Sequence, residues 1–205
     1  MAARTTWPLG VQVMPWMQAR GIRPLDFNRA RAALPEVLRS IRAIGFTGFE
    51  AILPFIPLET PGQILDVMAA TGGLHLAAAH AAGPWCDESS EARIPAIVEQ
   101  ARMLPAIGCD RLVVSLSPRP ATDLTADHLR SATRTLGLLG RACRETAGVR
   151  LLFRNHPWEM TDDARFISAL VDECEAEDVS LAPDLGWVAI GGMAPEAFRL
   201  QMACV

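Results

Sequence analysis

Short apolar runs alternate with stretches of helical periodicity along almost the whole chain. Leu9 to Met14, opened by Pro8 and closed by Pro15, predicts a first strand. Leu34, Val37, Leu38 and Ile41 share one helical face and stop at Gly45, a C-terminal helix signal. Phe46 to Leu53 predicts strand 2, Leu74 to Ala82 strand 3, Arg111 to Leu116 strand 4, Val149 to Phe153 strand 5 and Val179 to Ala182 strand 6. Between them the periodicity predicts helices over Thr60 to Ala70, Glu91 to Ile107 (with prolines that kink it), Thr125 to about Thr146, and Asp162 to Glu175. Another starts at Pro195 and runs to about Met202. Thr125 is placed to cap its helix, and the acidic residues opening the Asp162 helix suit the macrodipole.

This order gives six strand–helix units of roughly thirty residues each, with no linker, no low-complexity segment and no sequence repeat. Alternating strands and helices predict an α/β fold with a parallel sheet or barrel, whose chemistry lies at the C-terminal ends of the strands. A closed eight-unit barrel takes about 250 residues. The 205 residues here match about six of eight units. The expectation is therefore a single domain spanning residues 1–205, an incomplete TIM-type (β/α) barrel. An open doubly wound sheet is the alternative, but its G-x-G-x-x-G signal after strand 1 is absent.

Composition narrows the chemistry. The chain has no lysine and no tyrosine, which removes Schiff-base and lysine-anchored pyridoxal chemistry and any phenolic acid. A net charge of −4 offers no basic footprint for nucleic acid or an anionic membrane. No apolar run reaches the ~18 residues of a membrane span. Five cysteines without a C-x-x-C pair fit reduced thiols in a cytoplasmic protein.

The candidate chemistry gathers where strands end. Asp184, before Leu-Gly-Trp187, is placed either to bind a cation at a barrel mouth or to cap the next turn. Glu159, three residues after His156, reads as a metal ligand and catalytic base, or as the start of a solvent-facing turn. His156 is a ligand or hydrogen-bond donor, or packs on Trp158. Glu50, a lone charge in an apolar strand, contacts substrate or pairs with an arginine. His80 donates to a substrate hydroxyl or is a hydrogen-bonded core histidine. His75 and His128 read as non-functional. Trp16, Trp85, Trp158 and Trp187 each follow a predicted strand; together they read either as flat faces for the C–H side of a sugar or as plugs of the barrel mouth. Only Trp7 lies elsewhere.

Leu9-Gly-Val-Gln-Val13, Ile44-Gly-Phe-Thr-Gly-Phe-Glu50, Gly148 through Arg154-Asn-His-Pro-Trp-Glu159, and Pro183-Asp-Leu-Gly-Trp187 through Gly192 together resemble the sugar phosphate isomerase/epimerase family, the xylose-isomerase-like barrels. The order holds from about residue 9 to 198. The resemblance implies a divalent metal (Mn, Mg, Co or Zn) held by two Glu, an Asp and a His. Asp184 and Glu159 match two of these ligands, although His156 or Arg154 also align at the second position. Asn155, with Glu50, His80, His156, Trp16, Trp158 and Trp187, reads as substrate-binding from the chemistry of these residues at strand ends. Two departures stand out: Arg154 occupies the first position of a motif that usually begins His-Asn-His, and Trp187 stands where many members have histidine. The implied function is metal-assisted proton transfer beside the carbonyl of a sugar or cyclitol, by an isomerase or epimerase. The alternatives are an inosose-dehydratase-like lyase and a truncated, inactive sugar-binding remnant that has lost the metal. The expected partners are a small sugar or polyol and a second copy covering open sheet edges, with no nucleic acid and no membrane.

Overall fold

The computed structural model describes residues 9–120 and 123–203; Trp7 and Cys204 lie outside them. Six parallel strands form one sheet in chain order: β1 (Gly10–Gln12), β2 (Gly48–Ile52), β3 (His75–Gly83), β4 (Arg111–Leu116), β5 (Arg150–Phe153) and β6 (Val179–Leu181). The sheet is not closed. The eight helices among the described residues are α1 (Met14–Ala19), α2 (Phe27–Ala43), α3 (Pro61–Ala70), α4 (Ile94–Ala101), α5 (Ala126–Ala147), α6 (Thr161–Glu173), α7 (Leu185–Ile190) and α8 (Pro195–Ala203). None is long and apolar enough to cross a membrane.

The chain packs into two compact units. The first runs to His80 and includes Met103–Cys109; the second comprises Ala81–Arg102 and everything from Asp110 onward. In the first unit, Gly10, Val11 and Gln12 pair with Gly48, Phe49 and Glu50. Helix α2 buries Ala30, Leu34, Val37, Leu38 and Ile41 at helical spacing, and Phe49, Phe55 and Ile64 fill the same core. The helix begins at Phe27, well ahead of the predicted Leu34, and carries Pro35 inside it.

In the second unit, Leu112, Val113 and Val114 of β4 pair with Leu151, Leu152 and Phe153 of β5. Those three pair in turn with Val179, Ser180 and Leu181 of β6. Helix α5 covers this sheet with Leu129, Ala132, Leu136, Leu139 and Cys143. Its start is locked twice: the His128 N–H donates to Thr125 Oγ1 (3.3 Å), and the Thr125 N–H donates to His128 Nδ1 (3.2 Å). Gly148, at φ 63°, ends it.

Three expectations are corrected. The Glu91 to Ile107 helix is three pieces: a 3₁₀ turn over Glu88–Arg93, α4, and a 3₁₀ turn over Pro105–Ile107. Pro95 starts a helix readily but has no N–H to continue the preceding turn, and Pro105 likewise cannot extend α4. Asp162 and Asp163 do not open a right-handed first turn, because both, with Ala164, hold left-handed φ of 51°, 53° and 58°. The third concerns two short helices, α1 and α7, which the apolar pattern does not predict. Both start at strand ends, and six residues give too few turns for a periodic signal.

Candidate functional site

The second unit brings the ends of β5 and β6 together through one side chain. The Arg154 N–H still donates to the Val114 carbonyl (2.8 Å), extending the ladder one residue past β5. Asn155, only 2% exposed, then turns its carboxamide onto the backbone beyond β6. The Asp184 N–H donates to Asn155 Oδ1 (2.8 Å), and Asn155 Nδ2 donates to the Asp184 carbonyl (3.4 Å). The side chain read as a substrate contact thus serves as a clamp between two loops.

Past Asn155 the chain makes a 3₁₀ turn over Pro157–Met160. Glu159 is fully buried, at 0% exposure. Its Oε2 accepts the His156 N–H at 2.6 Å, closing the turn as a cap does. Its Oε1 has no hydrogen-bond partner, and neither do His156 Nδ1 and Trp158 Nε1, both buried. His156 Nδ1 lies 3.8 Å from Glu159 Oε1. A buried carboxyl oxygen without a partner costs about 1–3 kcal/mol or more, so a hydrogen-bond donor is expected against it.

The His156 ring stacks on Trp158, with centroids 4.3 Å apart and planes 13° apart. Trp187 stands tilted at 6.4 Å from the same imidazole and is 38% exposed. Asp184 is half-buried and caps α7, its Oδ1 accepting the Trp187 N–H at 3.1 Å. The end of α7 is seated on the 3₁₀ turn. A Cβ on Gly191 would fall 2.4 Å from Met160 Cβ and 2.9 Å from the Pro157 carbonyl oxygen, so only glycine fits there. Cys86 belongs to the same neighbourhood: burial pushes its thiol up to about 12, and the negative charge of Glu159 adds to the shift.

The remaining candidates sort differently. Trp85 is entirely buried, donates from Nε1 to the Ser115 carbonyl (2.9 Å) and lies under the Arg93 guanidinium at 5.5 Å. It is a core residue of the second unit, and the reading of it as a sugar platform is withdrawn. In the first unit, Glu50 Oε1 accepts from Gln12 Nε2 at 2.9 Å, a partner the sequence did not single out. Parallel pairing sets Gln12 opposite Glu50, so two polar residues in two apolar runs were the available signal. His80 is 6% exposed within β3. Trp16 is half-buried in α1. Asn155, His156, Trp158, Glu159, Asp184 and Trp187 therefore form one constellation, while Glu50, His80 and Trp16 belong to the other unit.

The donor set falls short of a metal centre. Among the described residues no three His, Cys, Asp or Glu side chains stand together to hold an ion. One oxygen of each rim carboxylate is already committed to a backbone N–H. Among the described residues, those present do not fit the metal that the resemblance implies.

The fold is that of the xylose-isomerase-like TIM barrels. The chain superposes on a sugar phosphate isomerase/epimerase from Parabacteroides distasonis with a TM-score of 0.68 at 14% identity, covering 98% of this chain and 74% of that one. A xylose isomerase-like TIM barrel protein from Mycobacterium smegmatis, in complex with magnesium, gives 0.61 at 18% identity over 91% and 67%. A probable 3-DHS dehydratase, AsbF, involved in petrobactin synthesis in Bacillus anthracis, gives 0.61 at 11% over 96% and 70%. No family model matches the sequence, and no curated protein does.

Proposed function

We propose that the rim built from Asn155 to Glu159 and Asp184 to Trp187 binds a sugar or cyclitol, and that the chain acts as an isomerase or epimerase shifting a proton beside a carbonyl. The observation that carries this reading is the stacked His156–Trp158 pair, with Trp187 beside it, set against a fully buried carboxylate that has one unpartnered oxygen. Indole and imidazole faces suit the C–H side of a polyol ring. Glu159, behind the surface, holds His156; His156, with 21% of its side chain exposed, is the member that reaches a substrate proton. Asn155 keeps the two loops in register so that the aromatic rings and the imidazole face one ligand.

The test is solvent-proton exchange. Keto-sugars and inososes incubated with the protein in deuterium oxide are followed by NMR, alongside tryptophan fluorescence titration. The expected outcome is deuterium uptake at the carbon next to the carbonyl. His156→Gln lowers it by about 100-fold or more, the usual contribution of a general base. Trp187→Ala weakens binding by about 2- to 10-fold. Ligand-dependent quenching without exchange for any ketone would leave a sugar-binding protein and sink the enzymatic reading.

A further inference from the structure

The two carboxylates that read from sequence as metal ligands have other occupations in the folded chain. Asp184 is the N-cap of α7 through Oδ1, and Asn155 grips its backbone on both sides. Glu159 closes the Pro157–Met160 turn through Oε2, and its second oxygen faces the imidazole of that turn at 3.8 Å. Arg154 and Trp187, which bring a cation and an indole, stand at the two motif positions flanking them. Neither side chain donates as readily to a divalent cation as a carboxylate or an imidazole. Among the described residues no third acidic, histidine or cysteine donor joins the pair.

We infer that this rim takes its ligand without a metal ion: Glu159 and Asp184 are capping residues that hold the His156–Trp158–Trp187 face. The inference rests on the polyol-binding reading for the nature of the ligand, but not for the absence of the metal. It separates this chain chemically from metal-assisted enolisation.

The test uses the full chain purified without chelators. Metal content is measured by mass spectrometry. Thermal unfolding is followed with Mn²⁺, Mg²⁺, Co²⁺ or Zn²⁺ added and with EDTA, because an ion that binds only the folded chain raises the midpoint as its concentration rises. The expected result is far less than one ion per chain and a midpoint that neither metal nor EDTA moves. Asp184→Ser keeps a capping oxygen and removes the charge, so it is expected to melt close to the wild type. Asp184→Ala loses the cap and melts lower. One ion per chain, lost in Asp184→Ser, overturns the inference, as does a metal-dependent rise in midpoint. Fluorescence titration with a cyclitol ketone, with and without EDTA, keeps the two readings apart. Binding that EDTA abolishes and Mn²⁺ restores defeats the metal-free inference and leaves polyol binding standing. No binding in either buffer defeats the polyol reading, while metal content and melting still decide the inference.

Discussion

Individual residues show how often one side chain decides what a loop can do. Asp178 is 2% exposed on its side chain, between Arg144 at 2.8 Å and Arg141 at 3.1 Å. Burial pushes its carboxyl up, but the hydrogen bonds and charges of Arg144 and Arg141 outweigh burial and hold it below the usual carboxylate range. A carboxyl depressed in the folded state contributes stability above its unfolded pKa of about 3.9, and that contribution disappears as pH falls through the lower folded value. Asp178→Asn is therefore expected to melt below the wild type at neutral pH, with the gap constant down to about pH 5 and closing below about pH 4. A gap that stays the same from pH 7 to strong acid would show that the arginines contribute shape and not charge. At the rim, the sequence marked Glu159 and Asp184 as the interesting acids, and both do lie in one constellation. Hydrogen bonds across 29 residues, such as Asn155 to Asp184, leave no local pattern, so the clamp that Asn155 makes between the two loops has no signal in the sequence.

At the scale of elements, helices were legible where burial repeats every three or four residues over several turns. Helices α2, α3 and α5 overlap the spans their apolar spacing predicts, and the Thr125 cap was written in the sequence. Strand β4 matches its predicted bounds. What the pattern missed is short or strained: α1, α7, the Pro157–Met160 turn and the left-handed run at Asp162 to Ala164. Close approach between elements is equally silent in sequence. Gly140 sits mid-helix in α5, where a Cβ would fall 1.9 Å from the Asp178 carbonyl oxygen. Replacing a helical glycine with alanine ordinarily stabilises by about 1 kcal/mol. At this position the segment before β6 must move, and Gly140→Ala is expected to destabilise by about 1–3 kcal/mol or more. Chemical denaturation measures the sign directly; a stabilised Gly140→Ala would mean that α5 and Asp178 are not in contact.

For the whole molecule, the six strands lie in chain order with β1 and β6 at the two ends of an open sheet. Strand edges with unpaired backbone groups invite association. On α7 and α8, Leu185, Ile190 and Leu200 are 51%, 67% and 57% exposed. Self-association that grows with concentration is the expected behaviour in light scattering, weakened by Ile190→Asp. A monomer at every concentration tested would show that these edges are protected. The sequence by itself determined the alternation of strand and helix, the parallel α/β class and the acids and aromatics that end strands 5 and 6. All of these follow from local spacing, because apolar periodicity reports which face of an element is buried. The tertiary structure alone decided which oxygens remain uncommitted, that Trp85 is core while Trp187 is half-exposed, and that His156 lies on Trp158 beside a buried carboxylate. Those outcomes depend on contacts between residues distant in the chain, and burial and pairing at such contacts are properties of packing that no stretch of sequence carries alone.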